Sequence, residues 1–202
     1  MPIAAATEVA TKSERYPMLF SPIKVGTQTV KNRLWMPPVS TNLAIDHGHV
    51  SEALIEHYTN RAKGGVGLIV TEVVTVEPTY VYMPGVMCMA DDSFVPGWEK
   101  LAAGVHEYGA KILPQLFHPA YMAFPIPGTP KLIAPSFVGP YYAREAPRPV
   151  TREELKVIIS QFGDAAERLK RSGTDGVEIH AAHAHGLLGG FLSPLYNKRT
   201  DE

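Results

Sequence analysis

The run Val66-Gly-Leu-Ile-Val-Thr-Glu-Val-Val-Thr75 restricts the fold more than any other stretch. Its apolar and β-branched residues do not alternate with polar ones, as they would in a strand with one wet face. A largely continuous run of this kind suits a parallel strand covered on both faces. What flanks it repeats the same alternation. Before it, Ser51 caps a helix predicted over 52–62, with Leu54, Ile55, Tyr58 and Ala62 on one face and Gly64-Gly65 at its end. After it, Val95 to Tyr108 reads as a helix with Trp98, Leu101, Ala102 and Val105 at helical spacing, ended by Gly109. Lys111 to Phe117 reads as the next strand, with Pro114 arguing against a regular ladder there. Thr151-Arg-Glu-Glu154 is a capping box opening a helix with Leu155, Ile158, Phe162, Ala165 and Leu169 on one face, ended by Gly173. Gly176 to Ile179 is a further strand. Upstream, Asn32 to Met36 is a short strand stopped by Pro37-Pro38, and a hairpin around Gly26-Thr27 precedes it.

Strand and helix thus alternate four times, less the last helix, which predicts an α/β fold with a parallel sheet and right-handed crossovers. Two architectures satisfy this: a doubly wound open sheet and a (β/α)8 barrel of the TIM type. No G-x-G-x-x-G follows the first strand, which counts against a dinucleotide-binding open sheet. The 202 residues, 45% hydrophobic, suffice for one core, expected over residues 16–202 behind a loose tail at 1–15. Nineteen Lys and Arg nearly balance twenty Asp and Glu, with no run of one sign, so neither nucleic acid nor a membrane surface is an expected partner. Cys88 is the only cysteine, which excludes an internal disulfide and a cysteine-rich metal site. The first 15 residues lack the apolar core of a signal peptide, and no apolar run has bilayer-spanning length; a soluble, cytoplasmic protein is the expectation.

Three of the eight histidines, His180, His183 and His185, follow the fourth strand within six residues. The carboxyl end of a barrel strand is where catalytic groups sit. Convergence on a metal would need carboxylates or further histidines from other strands, and no acidic residue follows Glu178 until Asp201. The cluster therefore favours polarising a ligand over binding a metal, and both over mere packing. Gln115 lies near the same end one strand earlier, where a carboxamide can meet a heterocycle edge or simply satisfy the core. Ser40 can touch a ligand or cap a turn, and Glu72 can act as a buried base or pair with a cation. His118 to Pro149 is long for a connection and rich in Pro, Gly and aromatics, as lids and binding loops are. Its Tyr121, Phe124, Tyr141 and Tyr142 can wall a flat ligand or pack the loop.

Taken together, these segments resemble the old yellow enzyme family of FMN-dependent oxidoreductases. The matching pieces are Leu19-Phe-Ser-Pro-Ile23, Lys31-Asn-Arg33 with Met36-Pro-Pro38, Arg61 to Ile69, Gln115-Leu-Phe-His118 and, most specifically, Asp175 to Glu202. The last holds His180-Ala-Ala-His183, Phe191-Leu-Ser-Pro-Leu-Tyr-Asn197 and Arg199-Thr-Asp-Glu202. The resemblance implies a (β/α)8 barrel with a hairpin at its amino end, this chain covering about the first four β/α units. It implies FMN, with NADH or NADPH as reductant. It assigns Pro37, Pro38, Val39 and Ser40 to the segment along the flavin, the Val73 backbone to the ring system and Gln115 to its pyrimidine. His180 and His183 become the donors that hold a substrate carbonyl oxygen.

The implied reaction delivers hydride from reduced flavin to the β-carbon of an α,β-unsaturated carbonyl compound. His185 stands where many relatives carry a proton-donating tyrosine. An imidazole can fill that role with another pH dependence, while amine dehydrogenation or demethylation, also found in this family, needs no such donor. The flavin phosphate of the family sits beyond the four units present here. A catalytically inert half barrel that pairs with another chain, as a homo-oligomer or with a C-terminal half barrel, is the reading from a different class. A metal-dependent hydrolase built on the histidines is the third.

Overall fold

A computed structural model of the chain describes residues 11–125, 127–137, 145–184 and 186–201. The elements follow in order as α1 (Lys12–Arg15), β1 (Ile23–Val25), β2 (Gln28–Val30), β3 (Trp35–Met36), α2 (Glu52–Lys63), β4 (Leu68–Thr75) and β5 (Met87–Cys88). They continue as α3 (Val95–His106), β6 (Lys111–Phe117), β7 (Ile133–Ala134), β8 (Arg148–Pro149), α4 (Arg152–Arg171), β9 (Glu178–Ile179) and α5 (Gly186–Leu192). Of the predicted tail, residues 12–15 form the single turn α1, and residues 1–10 lie outside the described set.

The central sheet runs β3-β4-β6-β9, parallel throughout, with β5 added to the carboxyl end of β4. Its strand order follows the chain, with no reversal. An open doubly wound sheet reverses at a switch point, whereas a barrel wall keeps sequence order. The crossover helices also pack in order, α2 on α3 and α3 on α4, as one outer layer. All eight residues of β4 are buried, as its uninterrupted apolar pattern requires. The antiparallel β1–β2 hairpin stands in front, with Ile23 opposite Val30.

Local chemistry explains the boundaries. Ser51 accepts from the Leu54 N–H at 3.1 Å and starts α2. Thr151 and Glu154 exchange both bonds of the capping box that starts α4. The strand predicted over Asn32–Met36 is confined to Trp35–Met36, because the Asn32 side chain takes over its backbone pairing. Its amide donates to the Gly65 carbonyl at 2.8 Å and accepts from the Leu34 N–H at 3.0 Å. The strand predicted over Gly176–Ile179 is likewise shorter, Glu178–Ile179, at the edge of the sheet.

The main core lies between the outer helices and the sheet. Tyr58, Trp98, Leu101, Ile112 and Leu116 are its large, fully buried side chains. A second cluster of Tyr121, Ile133, Val150, Ile158, Leu187 and Tyr196 lies beneath α5 and gives the long connection its own core. At the amino end of the strands, Asp175 accepts from Lys111 Nζ and the Ile112 N–H, at 2.7 and 2.9 Å, and bonds His106 Nε2 at 2.7 Å. These bonds hold its carboxyl below the usual range despite burial.

Candidate active site

The site starts from an irregularity that Pro114 imposes. Along the β4–β6 ladder Val70 pairs with Leu113 and Val73 with Gln115, so three steps on β4 match two on β6. Pro114 has no N–H to give the ladder, and β4 bulges opposite it. The bulged Glu72 donates its N–H to the Tyr58 hydroxyl of α2 at 2.9 Å. Its carboxylate, fully buried, accepts from both the N–H and the hydroxyl of Thr41. Burial raises the Glu72 pKa against those bonds. The bulge thus ties the β3–α2 loop, which carries Ser40, to the carboxyl end of β4.

A cavity of about 180 Å³ opens there, lined by Pro38, Ser40, Glu72, Val73, Tyr82, Gln115, Phe117, His180 and His183. Four successive parallel strands supply these groups at or just beyond their carboxyl ends. Of the residues singled out from sequence, Pro38, Ser40, Glu72, Val73, Gln115, His180 and His183 come together, with Glu72 bonded to Thr41 rather than to a cation. Pro37 and Val39 do not line it. Both are exposed, Val39 by 58%. His185, Tyr141 and Tyr142 lie outside the described residues. Among the described residues no group of three His, Cys, Asp or Glu is placed to hold a metal ion.

His180 is 7% exposed and sits edge-on to Phe117, ring centroids 4.8 Å apart, with His183 at 5.6 Å. Burial is the main cause holding its pKa below the ordinary 6.5; the His183 charge acts the same way, and Glu178 opposes it. At neutral pH it is therefore an uncharged imidazole carrying one N–H donor. His183 and Ala184 both adopt left-handed backbone, at φ 64° and 51°, a conformation that costs a residue with a Cβ. Tyr121 pins this turn: its hydroxyl donates to the Ala184 carbonyl at 2.9 Å. Gly186 follows at φ 66° directly against the Phe117 ring, where a Cβ would collide. Gln115, 6% exposed, donates from Nε2 to Glu178 Oε1 at 2.6 Å.

Sequence reasoning missed Tyr82 and Phe117 as cavity walls and Tyr121 as the support of the histidine turn. Phe117 carried a usable signal, standing two residues after Gln115 and therefore on the same face of the strand. Tyr82 and Tyr121 come from the long connections, where no periodicity says which way a side chain faces.

A profile described as the NADH:flavin oxidoreductase / NADH oxidase family matches residues 18–202. The NADH oxidase of Thermoanaerobacter brockii is 42% identical over 191 residues, 93% of this chain and 29% of that protein. Morphinone reductase in complex with tetrahydroNAD superposes with a TM-score of 0.84 at 29% identity, over 92% of this chain and 55% of that one. The old yellow enzyme homologue from Zymomonas mobilis gives 0.81 at 29% identity, over 92% and 54%. The chain therefore spans about a third to a half of the relatives it matches, and its four β/α units are part of a barrel of the TIM type. Sequence, strand order and the groups at the strand ends converge: the chain belongs to the NADH:flavin oxidoreductase / NADH oxidase family.

Proposed function

We propose that this chain carries one wall of the flavin site and the substrate-polarising groups of an FMN-dependent oxidoreductase. NADH or NADPH is the reductant, and the substrate is the activated C=C of an α,β-unsaturated carbonyl compound. The observation that carries this is the meeting of Ser40, Val73 and Gln115 with His180 and His183 in one cavity at four strand ends. Their chemistry fits a flavin. Val73 and Pro38 offer flat apolar surface, and Gln115 offers a carboxamide to a ring edge that both donates and accepts. At about 180 Å³ the cavity falls below the roughly 300 Å³ of a complete small-ligand pocket. This chain therefore supports part of the ring system. Bound FMN would take hydride from the nicotinamide and pass it on, chemistry that no side chain here supplies.

The residues themselves bind, orient and polarise. His180 and His183 hold the carbonyl oxygen of the substrate, and their N–H groups stabilise the negative charge that builds there. Phe117, with Val73 and Tyr82 packed beside it, puts an apolar face against the His180 ring and orients it. We assign the proton-delivering role to His185. The open edges β3 and β9 pair with a second copy of the chain, which completes the cofactor site.

Phenols present an oxygen where the substrate carbonyl would lie. In the flavin-loaded protein, His180→Ala or His183→Ala should weaken phenol binding on the order of tenfold or more, the loss of one hydrogen bond to a charged oxygen. Unchanged affinity in both variants would sink the role assigned to the pair.

A further inference from the structure

Gln115 and Glu178 are register partners across the β6–β9 ladder, so both side chains project from the same face of the sheet. The Gln115 amide nitrogen donates to the Glu178 carboxylate at 2.6 Å. A carboxylate only accepts, so it selects one end of an amide whose two ends are otherwise nearly equivalent in shape. The carbonyl end is thereby turned away from Glu178. Glu178 does not line the cavity, yet its charge reaches a second cavity residue, acting on His180 against the effect of burial.

We propose that Glu178 is a positioning residue that locks the Gln115 amide with its carbonyl as the acceptor for an N–H on the cofactor edge, and that places negative charge behind that contact. This rests on the flavin reading above. Without the lock the amide rotates, and half of its orientations meet a ring N–H with an NH2. With it, the acceptor is set before the cofactor arrives. The carboxylate behind the amide also disfavours electron density on the adjacent ring, so its removal should make the bound flavin easier to reduce.

Two variants test this. Glu178→Gln keeps a hydrogen-bond partner for the Gln115 amide but removes the charge and, because an amide both accepts and donates, the selection of one end; Glu178→Ala removes the partner as well. In the cofactor-free chain, solvent exchange of the Gln115 side-chain amide, followed by NMR, should be about tenfold slower in wild type than in Glu178→Ala, with Glu178→Gln between them. Equal exchange in all three overturns the lock. With FMN, followed by fluorescence titration and spectroelectrochemistry, Glu178→Ala should bind about tenfold more weakly. Glu178→Gln should stay within about threefold of wild type and shift the flavin midpoint potential upward. Unaltered affinity and potential in both variants overturn the role toward the cofactor. If wild-type chain takes up no FMN, the flavin reading fails, the proposed role toward the cofactor fails with it, and the exchange contrast still decides the lock. The isosteric Glu178→Gln keeps the test open should Glu178→Ala fail to fold.

Discussion

His118 is the residue whose burial has the clearest consequence for stability. It is 1% exposed, its Nδ1 accepts from the Ala120 N–H at 3.2 Å, and burial lowers its pKa to about 4. An unfolded histidine titrates near 6.5, so as pH falls the unfolded chain takes up its proton first. Stability from the neutral His118 is therefore complete above about pH 6.5 and lost progressively down to about pH 4, on the order of 3 kcal/mol in all. Urea midpoints should fall steeply across that window, and His118→Phe should flatten the fall; an equally steep fall in the variant would contradict this account. Tyr121 is the second such residue. Its pKa is raised to about 12, chiefly by burial, so it remains a hydroxyl donor to Ala184 at any ordinary pH. Tyr121→Phe should cost about 1 kcal/mol in a urea melt, the loss of one buried hydrogen bond, and a change near zero would show that the turn at His183 stands without it.

At the scale of elements, α4 is the best-specified piece. Thr151→Ala should cost about 1 kcal/mol, with Thr151→Ser within a few tenths, as chemical denaturation would show; equal losses in both would mean the cap is not the cause. This helix was legible because its start, face and end are all local signals. The buried strands β4 and β6 were legible from apolar runs, and Pro114 announced the irregular ladder that aims Glu72. Other pieces were not. β5, β7 and β8 are two residues each, too short for any periodicity, and exist because tertiary neighbours hold them. α5 begins at Gly186 and contains Gly189 and Gly190, a composition that argues against a helix. The glycines are needed for packing. A Cβ on Gly189 would meet the Ala182 carbonyl at 2.8 Å, and one on Gly190 would crowd Pro135 at 3.2 Å. Within the candidate site, residues on strand ends were readable from register, whereas Tyr82 and Tyr121 depend on loop paths. Pro37 and Val39 were assigned to the flavin by resemblance alone; both are exposed, and neither lines the cavity.

At the scale of the molecule, the described half of the wall ends in two strands with a neighbour on one side only. Beside β9 lies an apolar groove of about 530 Å³ lined by Leu155, Ile158, Phe162, Ile179, Leu188 and Leu192, among others. Ile159 and Leu192 are 70% and 72% exposed there, and Trp35 on β3 is 48% exposed. Open edges and exposed apolar surface favour association, in keeping with the proposed pairing. The proposed function places the recognising wall of a flavin site within these 202 residues. The visible spectrum of the purified chain after incubation with FMN and desalting, read beside its mass by light scattering on size exclusion, decides this. Flavin absorbance should be retained, elute with a species larger than one 22.1 kDa chain and decline in Gln115→Ala. A colourless protein of any mass, or flavin retained equally by Gln115→Ala, would contradict it.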